Sequence, residues 1–177
     1  MTIMDYDFGF PIVIHDVEVV NINGTQVFNI DYVSLHNEVL KALVKKPTRL
    51  TGDEVHFIRL ALELNLSDFG KLLDVTHAAV IAWESKGDSP TLMGLGTEIL
   101  IRLHALRKLD CSDVGEILDV INHIPSESIE LEIQPMQFSA LTVENAWVTW
   151  ESHVVDFAEP KANELDPRCD EPLATAA

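Results

Sequence analysis

Four cations, Arg49, Arg59, Lys71 and Lys86, flank a short run of small and apolar residues, His77, Ala78, Ala79, Ile81 and Ala82. Two hydroxyls, Ser67 and Thr76, stand where helices would begin. Cations beside helix N-termini neutralise phosphate, and a short exposed helix between them is the element that enters a major groove. Each residue also has a plainer reading. Ser67 and Thr76 are caps first, the four cations can be ordinary solvated charge, and His77 can be a surface histidine instead of a base reader. Asp68 stands where it would repel a phosphate. Base reading itself relies on forked side chains, Arg to guanine or Asn and Gln to adenine, each worth about 1–3 kcal/mol of discrimination. None lies between His77 and Ala82, so readout there would be limited to His77 and to contacts of Ala and Ile with thymine methyl groups.

Other chemistries find no constellation. There is no phosphate loop, no Gly-x-Ser-x-Gly, and no His-x-Glu with a Pro-Cys-x-x-Cys partner. The seven histidines lack His-x-x-x-His spacing, and Cys111 and Cys169 form no Cys-x-x-Cys pair. The sequence thus predicts no enzyme, no metal and no cofactor.

The elements that must position the candidate residues follow from periodicity and caps. Residues 11–22 read as one strand, Asn23-Gly24 as a tight turn, and TQVFNI as the returning strand of a β-hairpin. Asp31 caps a helix with an apolar stripe of Tyr32, Leu35, Val39, Leu40 and Leu43, ended by Pro47. Thr51-Gly52-Asp53-Glu54 is a capping box opening the next helix, whose core side holds Val55, Phe57, Ile58 and Leu62. Ser67 is expected to cap a short helix carrying Phe69, Leu72 and Leu73, and Thr76 the next, with Val80 and Trp83 inward and Gly87 as its stop. Leu95, Ile99, Leu103 and Leu106 predict a longer helix, and Ser112 a further one through Ile121. Beyond Pro125, SIELEIQ and ALTVENAWVTWE predict one or two late strands, and from Glu159 the composition is that of a disordered acidic tail. The expected class is mainly α (α+β), a five-helix-type helix-turn-helix centre flanked by a hairpin and late strands. Its expected divisions are 1–46, 47–124, 125–158 and 159–177.

The segment LTGDEVHFIRLALELNLSDFGKLLDVTHAAVIAWESKGDSP resembles the lambda-repressor/Cro-like (XRE) helix-turn-helix family. The landmarks are Leu66-Ser67, Phe69, Leu72 through Thr76, Val80, Trp83-Glu84 and Lys86-Gly87. ALVKKPTRLTGDEVHFIR is further similar to the segment leading into the DNA-binding half of MqsA (YgiT-type) antitoxins. The resemblance implies a homodimeric DNA-binding regulator. It implies no zinc-dependent toxin clamp, because the paired Cys-x-x-Cys motifs of that subgroup are absent.

Charge pulls the other way. The chain carries −17, but Lys45–Lys108 holds nine Lys or Arg against eight Asp or Glu, so the acidity lies in the flanks. From Leu109 onward 15 acids face only Lys161 and Arg168. Two expectations result: a regulator using residues 51–87 on double-stranded operator DNA, with hairpin, last helix and late strands dimerising, or a degenerate helix-turn-helix that binds a basic protein such as a toxin. Ile81 suits either, as a base-methyl contact or as part of a protein interface. No run of 18 apolar residues and no secretory leader pattern is present, so a cytoplasmic, non-membrane protein is expected.

Overall fold

The computed structural model describes residues 1–109, 115, 135–143 and 147–153, with side chains to residue 140. The helix expected after Ser112, the SIELEIQ strand and the tail from 159 lie outside the described residues.

The described chain is a mixed α+β fold of five helices and six strands. Strands β1 (Ile3–Asp5), β2 (Ile12–His15), β5 (Met136–Val143) and β6 (Trp147–His153) form one sheet in the order β1-β2-β5-β6. β2 and β5 run parallel, Ile12 opposite Met136 and Ile14 opposite Phe138. A parallel pair needs a long crossover, and here the whole helical centre supplies it. Ile12, Ile14 and Phe138 are fully buried on one face, each contributing about 1.5–3 kcal/mol. A one-residue slip would turn all three outward, so burial fixes the register.

β3 (Glu18–Ile22) and β4 (Thr25–Asn29) form the expected hairpin over Asn23-Gly24, whose φ angles of 53° and 86° suit a type I′ turn. The single strand expected over 11–22 is divided, however. Asp16 at φ 59° and buried Val17 break it, sending β2 into the sheet and β3 into a separate ribbon.

Helix α1 (Tyr32–Lys45) opens on Asp31, whose carboxylate accepts from the amides of Val33 and Ser34 at 3.0 and 3.2 Å. Its buried face is Leu35, Val39, Leu40, Ala42, Leu43 and Val44. Tyr32 does not join that stripe: it is exposed, and its hydroxyl donates to Asp5 at 3.3 Å. α2 (Gly52–Ala61) has the full capping box, Thr51 Oγ1 accepting from Glu54 N and Glu54 Oε2 from Thr51 N.

α5 (Leu95–Lys108) departs most from expectation. Leu95 and Ile99 only pack against the core edge, Leu103 is half-buried, and the inward face is Glu98, Ile101, Arg102, Ala105 and Leu106. Glu98 and Arg102 are both 0% exposed. The Arg102 guanidinium donates to the carbonyls of Leu43, Val44, Lys46 and Thr48 at 2.7–3.1 Å and to Glu98 Oε1 at 2.9 Å. Three of these, from Leu43, Val44 and Lys46, lie at the C-terminal end of α1, where carbonyls run short of main-chain donors; Leu43 O keeps one, from Lys46 N at 3.3 Å. Glu98 also accepts from Leu50 N, and its Oε2 lies 2.9 Å from Arg49 Nε as an ion pair without hydrogen-bond geometry. Lys46 and Glu54 form a second buried pair at 2.6 Å. This network ties α1 to the helical centre, so the division expected at 46/47 runs through continuous core.

Candidate nucleic-acid interface

α3 (Leu66–Leu72) and α4 (His77–Glu84) are joined by Leu73–Thr76. The turn is tight: Val75 N donates to Gly70 O at 2.9 Å, and a Cβ on Gly70 would lie 2.8 Å from Val75 O. Asp74 takes a left-handed φ of 55° to close it. Thr76 caps α4 as expected, its Oγ1 accepting from Ala79 N at 3.2 Å. Ser67 does not cap α3. The cap is Asn65, whose side chain accepts from Asp68 N at 2.9 Å, because α3 begins two residues earlier than the sequence pattern placed it. Ser67 is left exposed in the first turn.

α4 is docked rigidly by its C-terminal end. Arg59 of α2, 7% exposed, donates to Glu84 through Nε at 2.6 Å and Nη2 at 3.0 Å, and through Nη1 to Leu64 O. His56 Nδ1 lies 2.7 Å from Glu84 Oε2. Burial pushes Glu84 up, but the bonds from Arg59 and His56 outweigh it and hold the carboxyl below its ordinary range. Gly52 makes the approach possible, since a Cβ there would meet Trp83 O at 2.6 Å and Gly87 N at 2.7 Å. Asp53 N donates to Gly87 O at 2.9 Å and Gly52 N to Ser89 O at 3.2 Å, so the backbones of α2 and the chain leaving α4 are stitched together.

This docking turns one face of α4 outward. Val80 is fully buried and Trp83 packs on the core, while His77, Ala78, Ile81, Ala82, Ser85 and Lys86 are exposed. Ile81 is 47% exposed. Ala79 is half-buried and so is not part of the open face. Leu72, expected inward, is exposed, and Leu73, the C-cap residue just after α3, takes the core position. Ser85 was not among the residues singled out from sequence; its spacing of four from Ile81 and eight from His77 carries the signal. Its hydroxyl donates to Ala82 O at 2.9 Å.

The expected phosphate contacts separate into two groups. Arg59 is consumed by Glu84 and Leu64, and Arg49 by Glu98 and the Met93 carbonyl, so neither stands on this surface. Lys71 and Lys86 remain outside. Lys71, with a side chain 74% exposed, reaches Asp68 at 2.8 Å. That bond, with one from Asn65, lowers the Asp68 pKa, so the carboxylate is neutralised locally instead of facing outward unpaired. Asp53 shifts oppositely: burial and then Asp88 raise it.

Folding also changes the charge of the centre. Lys46, Arg49, Arg59 and Arg102 turn inward with Glu54, Glu84 and Glu98. Of the Lys45–Lys108 window that leaves Lys45, Lys71, Lys86, Arg107 and Lys108 against Asp53, Glu63, Asp68, Asp74 and Asp88, a neutral surface. Residues 1–40 contain six acids and no Lys or Arg. Among the described residues no group of His, Cys, Asp and Glu could hold a metal ion, and no helix is long and apolar enough to cross a membrane. No protein-family model, no curated protein and no solved structure matches this chain.

Proposed function

We propose that α3 and α4 act as a helix-turn-helix of the lambda-repressor/Cro-like kind, and that a homodimer of this chain binds double-stranded operator DNA as a transcriptional regulator. The observation that carries the reading is the outward face of α4. A helix capped by Thr76, docked at its far end by Arg59–Glu84 and Gly52, offers His77, Ala78, Ile81, Ala82 and Ser85 on one side. A short, rigid, exposed second helix is what a major groove admits.

On this reading the N-terminal residues His77 and Ala78 meet base edges, and Ile81 and Ala82 pack on thymine methyl groups. Lys71 and Lys86 contact phosphate, and Ser67 and Thr76 do so through hydroxyls at helix starts. With two cations per protomer, a dimer neutralises about four phosphates, so affinity falls with a log–log salt slope of about −4. The role implies a cytoplasmic protein.

Fluorescence anisotropy with DNA from upstream of the protein's own gene, titrated to about 150 mM salt, tests the reading. Binding tighter than to random duplex by a factor of roughly 10³ or more supports it. Ala78→Glu with Ala82→Glu should abolish that preference; unaltered binding by the double variant removes α4 from the interface.

A second reading has its own observation, the neutral surface of the centre in a chain of −17. An apolar α4 face with acidic flanks suits a basic protein partner, such as a toxin, on a helix-turn-helix that no longer reads DNA. Equal, salt-sensitive loss of binding on operator and random DNA favours it. Deleting residues 159–177 then asks whether the acidic tail competes with DNA: unchanged affinity at low salt makes the tail a bystander.

A further inference from the structure

The β3–β4 ribbon stands apart from the sheet, and no described helix or strand packs extensively against it. Both of its faces reach solvent: Val19, Ile22 and Phe28 are exposed, and Val20 and Val27 only half-buried. An isolated two-stranded ribbon is marginal in water. This one exposes three apolar side chains and leaves two more half-buried, so it gains by burying them against something.

Its edges show which part is available. The two-residue turn makes Ile22 and Thr25 a hydrogen-bonded pair, and alternation makes Val20–Val27 and Glu18–Asn29 the next such pairs. The backbone groups of Val19 and Asn21 on β3, and of Gln26 and Phe28 on β4, therefore point away from the ribbon. Among the described residues neither edge has a strand partner. Edge strands are ordinarily blocked by Lys, Pro or a bulge, and neither Lys nor Pro lies between Asp16 and Asp31.

Charge chooses the occupant and the edge. Thr25–Ile30 contains no ionisable residue, whereas β3 is entered through Asp16 and Glu18. The acid after β4, Asp31, is occupied in capping α1 and bonding Ser34. Along β4 a basic partner meets an anion only at the Asn29 end, where Glu18 accepts from Asn29 Nδ2 at 3.1 Å, and none over Thr25–Phe28. For two copies of a chain carrying −17, an uncharged edge is where they approach without repulsion. We infer that β4 pairs antiparallel with β4 of a second copy, joining two ribbons into a four-stranded sheet with Gln26 and Phe28 supplying the cross-copy backbone bonds. The inference rests on the two-copy DNA reading for its purpose, but its test contains no DNA.

The mass of the full chain in solution is measured by light scattering at concentrations on the order of 10 μM, above the dissociation constant of an ordinary interface. The wild type is expected at twice the chain mass of 19.7 kDa. Gln26→Pro removes one outward N–H without touching the ribbon's own bonds, and Phe28→Lys places a charge on the edge; both are expected to be monomeric with an unchanged circular dichroism spectrum. Val19→Pro, the same change on the β3 edge, is expected to stay dimeric. A monomeric wild type, a dimer that survives both β4 variants, or one lost equally in Val19→Pro overturns the inference. Loss of operator binding with the dimer intact would instead count against α4.

Discussion

Arg102→Met isolates the interaction that holds α1, the 46–50 connector and α5 together. Methionine keeps much of the length and volume of the arginine stem and removes only the guanidinium. Glu98, fully buried, then retains Leu50 N and the poorly aligned Arg49 as its partners. Breaking a buried pair from one side costs about 3–5 kcal/mol. The carbonyls of Leu43, Val44, Lys46 and Thr48 lose a donor as well, at about 1–3 kcal/mol for each that water cannot reach. The Nη2 side near Thr48 is only partly buried, so water recovers some of that loss. Because Glu98 keeps Leu50 N and Arg49, the low end of the pair loss, about 3 kcal/mol, applies. With Leu43 O keeping Lys46 N, the carbonyls of Val44 and Lys46 add about 1 kcal/mol or slightly more each. The expected total is about 5–6 kcal/mol, a large share of the 5–15 kcal/mol that holds an ordinary domain. At about 2–4 °C per kcal/mol for a chain of this size, the melting temperature falls by roughly 10–20 °C. Urea titration followed by circular dichroism measures the difference. Glu98→Met with Arg102→Met should lose less than the sum of the single changes, because no charge is then left buried alone. A loss under about 1 kcal/mol for Arg102→Met, or strict additivity in the double variant, refutes the network as described.

On the proposed DNA reading, Lys86→Ala should flatten the salt dependence of binding by about two log units per log unit of salt in a dimer, since one phosphate contact would be lost per copy; an unchanged slope removes Lys86 from the interface. Asn65→Ala should cost about 0.5–2 kcal/mol in urea titrations and Ser67→Ala almost nothing, because only Asn65 caps α3; the reverse order would restore Ser67 as the cap. Glu84 has a depressed folded pKa, so its contribution to stability is complete at neutral pH and above its unfolded value, and is lost as pH falls through the folded one. Glu84→Gln should therefore lower stability at pH 7 and flatten the acid limb of the stability curve, and an acid limb unchanged by it would count against the Arg59–Glu84 tie. Asp53 has a raised folded pKa, so the wild type loses stability as pH rises through that value. Asp53→Asn should be the more stable protein at pH 7, with the difference closing in acid; a gap that persists at low pH would mean packing, not charge, is responsible.

The local chemistry was legible at most places where a short-range rule decides the outcome. The capping box at Thr51–Glu54, the cap at Thr76, the Asn-Gly hairpin and the Asp31 start each depend on residues within four of one another. The Ser67 cap is the local exception, because two neighbouring side chains can each cap and Asn65 takes the role; the larger departures depend on partners far away. Periodicity placed Leu95, Ile99 and Leu103 on the inner face of α5, yet the inner face is centred on Glu98 and Arg102. An amphipathic pattern treats charge as outward, and only the carbonyls of residues 43–48, over fifty positions away, make burial of Arg102 favourable. The division of residues 11–22 was hidden for a similar reason: β2 leaves the hairpin because β5, beyond residue 135, supplies its parallel partner.

The same internalisation bears on function. Read as a sequence, the centre is an island of balanced charge, +1, in an acidic chain. Once four of its nine cations and three of its eight acids are placed inside, the island is neutral at the surface. Arg49 and Arg59, chosen as phosphate contacts, serve instead to hold α5 and α4 in place, so they act on the candidate interface only by fixing its shape. The chain is left with Lys71 and Lys86 exposed near α4, and on the proposed DNA reading two copies would have to act together to gather about four phosphate contacts. A pairing surface free of charge is thus a requirement of the DNA reading, and β4 is the described strand edge that best meets it.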